Sequence, residues 1–250
     1  VFALVALVVM ERRHPAPLLP VELFADRTFA GANLITLVLY GGMGVVFFLL
    51  TVNLQVVGGW SALASGSAML PVTAMMLAFS SRAGALAQKI GPRIPLTVGP
   101  LLIAGGMLLL SRIGESPNWL VDVAPGAIVF GAGLALSVAP VTATVLASVP
   151  DDQMGAASGV NNAISRTGGL LTVAGIPALV GLSGDALSDP GLLSDSYGDA
   201  VLIGAALVAA SALVAWIALG VSDDVPCLDL EDGLTCPVDG TTSLVGATSE

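Results

Sequence analysis

Apolar runs about twenty residues long recur along this chain, separated by short breaks that carry glycine, proline and charge. Crossing about 30 Å of hydrocarbon takes roughly 20 apolar residues in a helix. Six windows meet that length, near 28–52, 62–81, 94–111, 119–147, 156–182 and 200–220, with a shorter apolar stretch at 1–10. Polar residues inside the windows keep helical spacing. In the fifth, Ser158, Asn161, Asn162, Ser165, Arg166, Gly169 and Thr172 follow an i, i+3, i+4, i+7 pattern and share one face. In the first, Asn33, Thr36, Tyr40 and Thr51 form a sparser face. The expected fold is all-α, a polytopic membrane helix bundle.

Composition removes the soluble alternative. With 55% hydrophobic residues, 10% charged residues and 30 glycines, the chain has too few charges to cover a globular surface. The net charge of −10 lies mostly in the last third, in a loop and a tail, and says little about a partner. The basic residues are more telling. Arg12, Arg13 and Arg27 precede the first window, and Arg82, Lys89 and Arg93 lie between the second and third. The alternate breaks hold only Arg112, together with Trp60, Trp119 and the acidic run Asp185, Asp189, Asp195 and Asp199. The positive-inside rule makes the first group cytoplasmic and the second external, and six crossings return 221–250 to the cytoplasm. Residues 84–95 read as a short cationic turn, tightened by glycine and held at the headgroups by Lys89 and Arg93.

Bare amides and a guanidinium in hydrocarbon are costly, roughly 2.5–3.5 kcal/mol for a central Arg on insertion scales, so the polar face of the fifth window should meet protein or a watery cavity. Two readings are open for Asn161, Asn162 and Arg166: joining helices and snorkelling, or contacting substrate and gating. Gly41, Gly42, Gly44, Gly131, Gly133, Gly168 and Gly169 likewise serve either close packing or helix sliding. Pro71, Pro100, Pro140 and Pro177 are expected to kink their helices.

Asp122, near the outer end of the fourth window, is the one Asp or Glu within the six windows, and His14 is in a loop. Without a proton carrier, a metal-ligand cluster, a P-loop or a nucleophile-base set, enzymatic catalysis is not expected. Cys227 and Cys236 fit no strong zinc spacing. The chain opens on Val1 without the marks of a signal peptide. Residues 1–10 therefore read as the end of a truncated transmembrane helix, 11–27 as a cytoplasmic linker, 28–220 as a six-helix bundle and 221–250 as an acidic disordered tail.

Three stretches carry a family resemblance. Gly84-Ala-Leu-Ala-Gln-Lys-Ile-Gly91-Pro-Arg93 resembles the loop motif of the major facilitator superfamily, with Gln88 where the motif has Asp and Pro92 at a usually basic position. Residues 150–169 look like the segment entering the penultimate span of fourteen-span drug:proton antiporters of the QacA/EmrB type, and 23–33 is similar to the same group. The resemblance implies the C-terminal six-helix half of such a transporter, working by alternating access and powered by a proton gradient, with no cofactor. It implies proton-coupled efflux of drugs or other small lipophilic or cationic molecules. Uptake or exchange of another solute on the same fold, or a truncated non-transporting fragment, are the alternatives. On this reading Asn33, Tyr40, Asn161 and Asn162 line the substrate cavity, Arg166 stands near its cytoplasmic end, and Gly84, Gln88, Lys89, Gly91 and Arg93 belong to a gating loop. The implied partners are the lipid bilayer, a missing N-terminal helical bundle and a small-molecule substrate, with no nucleic acid. The implied location is a plasma membrane, as a multi-pass protein of a bacterial inner membrane.

Overall fold

The computed structural model describes residues 21–182 and 184–219. The expected helix end at 1–10, most of the linker and the tail with Cys227 and Cys236 lie outside the described residues. Every regular element among the described residues is helical. Six long helices cover the six windows: α1 (Arg27–Val56), α3 (Leu70–Ile90), α4 (Arg93–Leu110), α5 (Ala124–Ala147), α6 (Met154–Leu179) and α7 (Pro190–Ala218), with a short α2 (Ala62–Ser67) leading into α3. Among the described residues, five spans, Arg27–Val56, Ala62–Ile90, Arg93–Leu110, Trp119–Ala147 and Pro190–Ala218, are long and apolar enough to cross a membrane. α6 has the length at 26 residues, and its polar face sets it apart from the other five.

Local chemistry fixes the helix ends. Asp26 caps α1 by accepting from the Phe29 N–H at 2.8 Å. Pro71 has no N–H to give the carbonyl one turn back, and the second span breaks at Ala68–Met69 before restarting as α3. The Trp119 indole N–H donates to the Ala68 carbonyl at 3.2 Å across that break. Pro100, Pro140 and Pro177 lie inside α4, α5 and α6.

Two boundaries differ from expectation. The turn at 84–95 is mostly helix: α3 continues through Gly84 and Gln88 to Ile90, because Ala83, Ala85, Leu86, Ala87 and Lys89 are strong helix formers. Only Gly91, at φ 79°, and Pro92 make the reversal. The last helix begins at Pro190, ten residues before its apolar window, so Asp195 and Asp199 are helical rather than in a loop. Asp189 explains this early start: its carboxylate accepts from Gly191 N at 2.9 Å and Leu192 N at 3.1 Å, ahead of a proline suited to the first turn.

Lipid gives little hydrophobic drive for helices to pair, so the bundle depends on close fit and a few polar contacts. α1 packs between α6 and α7, α5 packs between α3 and α4, and α4 and α7 meet at the back. That leaves α3 and α6 as the two flanks of a front face floored by α1 and α5. Glycines mark the tightest crossings. A Cβ on Gly42 would stand 2.5 Å from the Gly204 carbonyl of α7, and one on Gly168 would stand 2.5 Å from the Leu37 carbonyl of α1. This is the close approach that both open readings require. Thr172 reinforces the α1–α6 seam by donating to the Gly41 carbonyl at 2.6 Å, and the buried Tyr197 hydroxyl joins α7 to α4 through the Leu110 carbonyl at 3.1 Å. Ile103, Met107, Phe130, Leu49 and Val208 fill the shared interior, while Leu77, Leu171 and Ile217 point outward.

Candidate functional site

The front face holds a cavity of about 670 Å³. Tyr40, Met43, Gly44 and Phe47 of α1 line it with Leu134 and Val138 of α5, Met76 of α3, and Asn162, Ser165, Arg166, Gly169 and Leu170 of α6. Tyr40, Met76, Leu134 and Arg166 each sit near the middle of their spans, which puts the cavity at mid-depth of the bundle. Its volume falls in the usual range for a small-molecule site, roughly 300–1,000 Å³. The lining is segregated. α6 brings the amide, hydroxyl and guanidinium, and the other three helices bring apolar and aromatic groups apart from the Tyr40 hydroxyl. The Ser165 hydroxyl turns back to the Asn162 carbonyl at 2.8 Å, so the groups left for a guest are the exposed Asn162 amide and the exposed Arg166 guanidinium. None of the lining residues is acidic.

The five cavity candidates divide between two places. Tyr40, Asn162 and Arg166 come together on the cavity wall. Asn33 and Asn161 meet instead in the α1–α6 seam, where the Asn161 amide donates to Asn33 Oδ1 at 3.1 Å and to Thr36 Oγ1 at 2.9 Å. Asn33 and Thr36, both buried, are oriented by their own donations to the Phe29 and Ala32 carbonyls, each at 2.9 Å. Both Asn161 N–H groups are therefore spent on helix joining. Arg166 stands midway along α6.

The loop-motif residues spread over the Asp26 end of the bundle. Gly84 and Gln88 line a second groove, of about 650 Å³, together with Asp26, Pro92, Thr144 and Ser148. A carboxylate at 88 would share that groove with the Asp26 carboxylate, a like-charge arrangement that the Gln88 amide avoids. Lys89 is exposed at the end of α3, and Gly91 makes the turn. The Arg93 guanidinium lies 3.8 Å from the centre of the Trp216 ring of α7. Its Nε is buried with no hydrogen-bond partner among the described residues.

Sequence reasoning missed the apolar lining. Met43, Phe47, Met76, Leu134 and Val138 look like any other apolar residue in an apolar run. The one available signal was spacing, since Tyr40, Met43, Gly44 and Phe47 continue the inward face of α1 at i+3, i+4 and i+7.

The multidrug transporter protein MdtP of Bacillus subtilis (strain 168) is 29% identical over 187 residues, covering 74% of this chain and 34% of the relative. The puromycin resistance protein pur8 of Streptomyces alboniger is 35% identical over 178 residues, 70% of this chain and 35% of the relative. The cephamycin export protein CmcT of Amycolatopsis lactamdurans is 31% identical over 201 residues, 79% of this chain and 41% of the relative. The matched region thus spans between 34% and 41% of the length of these curated relatives. Membrane-length helices and transporter relatives together make this a multi-pass membrane protein. Residues 1–173 of the 250 match the Major Facilitator Superfamily, and the chain belongs to that family of transporters.

Proposed function

We propose that the protein exports small lipophilic molecules by alternating access, using a proton gradient, and that this bundle forms one wall of the pathway. The mid-depth cavity carries the reading. It is guest-sized, opens on the face floored by α1 and α5, and sets a polar strip on α6 against apolar walls. A site near the bilayer midplane, flanked by bundles that rock around it, is how such carriers present one site to both sides in turn. Relatives named for multidrug transport and antibiotic resistance or export support efflux as the direction. The fourteen-span QacA/EmrB-type architecture also belongs to this proposal, as do a second bundle facing this one, a plasma-membrane location and a cytoplasmic 221–250 tail. The described spans carry carboxylates only at Asp122, Asp195 and Asp199, all outside the cavity lining, so this reading assigns proton coupling to the facing bundle.

The test uses the complete protein in an efflux-deficient bacterium with a panel of dyes and antibiotics. Accumulation should fall on expression and recover when a protonophore collapses the gradient. Replacing Tyr40 and Asn162 together with Ala should cut efflux about tenfold at unchanged membrane abundance, the loss expected from removing one aromatic and one polar contact. Efflux that ignores the gradient would end the antiporter reading, and full efflux by the double variant would remove the cavity from the pathway.

A further inference from the structure

We propose that this cavity selects amphiphiles with an anionic head, the head held by Arg166 and the apolar body by the facing walls. The inference rests on the cavity being the cargo site and adds the chemical class of the cargo.

Arg166 lies at the midpoint of α6, about 18 Å from either helix end at ~1.5 Å per residue. That is farther than an arginine side chain reaches, so snorkelling to a headgroup layer does not account for it. Among the described residues, none that lines the cavity or lies one turn from Arg166 on α6 supplies a counter-charge. Its neighbours one turn away on α6, Asn162, Ala163, Gly169 and Leu170, include no carboxylate. Neither do the residues across the cavity on α1, α3 and α5. α5 carries no charged residue, and the only charge on α1 is Arg27 at its first position.

A guanidinium exposed to a cavity that holds no other charge in its lining acts in two ways. It repels a cationic head. It also offers two parallel N–H groups to a carboxylate, sulfonate or phosphate, the geometry that makes arginine the preferred anion clamp. Asn162, one turn earlier on the same lining, adds a neutral donor beside it. The apolar part of the lining includes Met43 and Phe47 of α1 and Met76 of α3. Methionines repack around differently shaped guests, so the body of the cargo is loosely specified while its head is not. The lipophilic-cation cargo implied by resemblance is the class this wall disfavours.

The test is equilibrium binding of two probes with one body, 2-naphthylacetate and (2-naphthylmethyl)trimethylammonium, to the complete protein in detergent. Wild-type protein should bind the carboxylate about tenfold more tightly than the ammonium. Arg166→Gln should abolish that preference, and Arg166→Lys should keep its direction with a weaker carboxylate affinity, because it retains the charge and loses the fork. Elution as a single species in detergent checks that each variant folds; if the Gln variant fails this check, the Lys variant decides. Equal or tighter wild-type binding of the ammonium overturns the proposal. An unchanged preference in Arg166→Gln, or Lys and wild-type affinities that are the same, also overturns it. Transport of both probes is measured separately in proteoliposomes. Carboxylate binding without transport would defeat the carrier reading and leave the head preference standing.

Discussion

Replacing Asn161 with Ala in the complete protein should weaken the fold, whereas the same change at its neighbour Asn162 should not. The Asn161 amide joins α6 to α1 through two bonds, at 3.1 Å to Asn33 Oδ1 and 2.9 Å to Thr36 Oγ1. Interhelical polar contacts in membranes average about 0.6 kcal/mol and reach about 1.7 kcal/mol. Two such contacts give ~1.2 kcal/mol, and stranding the Oδ1 of Asn33, whose side chain is 2% exposed, pushes the loss towards the upper range. We expect about 1–2 kcal/mol, a factor of roughly 5–30 in the unfolding equilibrium. Asn33 and Thr36 keep their bonds to the Phe29 and Ala32 carbonyls, so α1 itself stays intact. The Asn162 side chain faces the cavity, and its loss should cost less than ~0.5 kcal/mol. The assay is SDS-titrated unfolding of purified protein followed by far-UV circular dichroism. A double-mutant cycle with Asn33→Ala should recover a coupling of at least ~0.5 kcal/mol. Equal shifts for the two single variants, or zero coupling, would refute the clamp.

Gly42→Ala places a methyl 2.5 Å from the Gly204 carbonyl and from Val208 Cγ2, so it should destabilise by about 1–3 kcal/mol. Gly105→Ala, with nothing within 4 Å, should be neutral or slightly stabilising, and similar thermal unfolding midpoints for the two variants would disprove the tight crossing. Tyr197→Phe removes the bond to the Leu110 carbonyl and should cost about 0.5–1.5 kcal/mol in the same measurement, while an unchanged midpoint would mean that contact carries no stability.

The six long helices were legible because hydrocarbon imposes a length on apolar runs, and all six windows coincide with helices. Their ends were less so. Charge marked where the membrane should end, but helix propensity carried α3 past Arg82 to Ile90, and an aspartate cap started α7 among acidic residues. The site was half legible. Adjacent residues on a helix point about 100° apart, so a broad polar face like that of α6 spans both an interface and a cavity. Sequence identified the face and had no means of assigning Asn161 to one side and Asn162 to the other. The tight crossings were visible as glycines, but which glycine meets which depends on the register of helices far apart in the chain.

Those crossings have a mechanical consequence. α1 touches α7 through Gly42 and Gly204, and α6 through Gly41 and Gly168, with main chain lying almost directly on main chain. A side chain between two helices behaves like a spring, able to change rotamer and absorb a tilt; bare backbone has no such give. The keel formed by α1, α6 and α7 therefore has little side-chain compliance at its crossings, and a tilt there would have to move backbone over backbone. Compliance belongs to the other flank, where the Pro71 break leaves α2 and α3 meeting at two non-helical residues beneath Trp119.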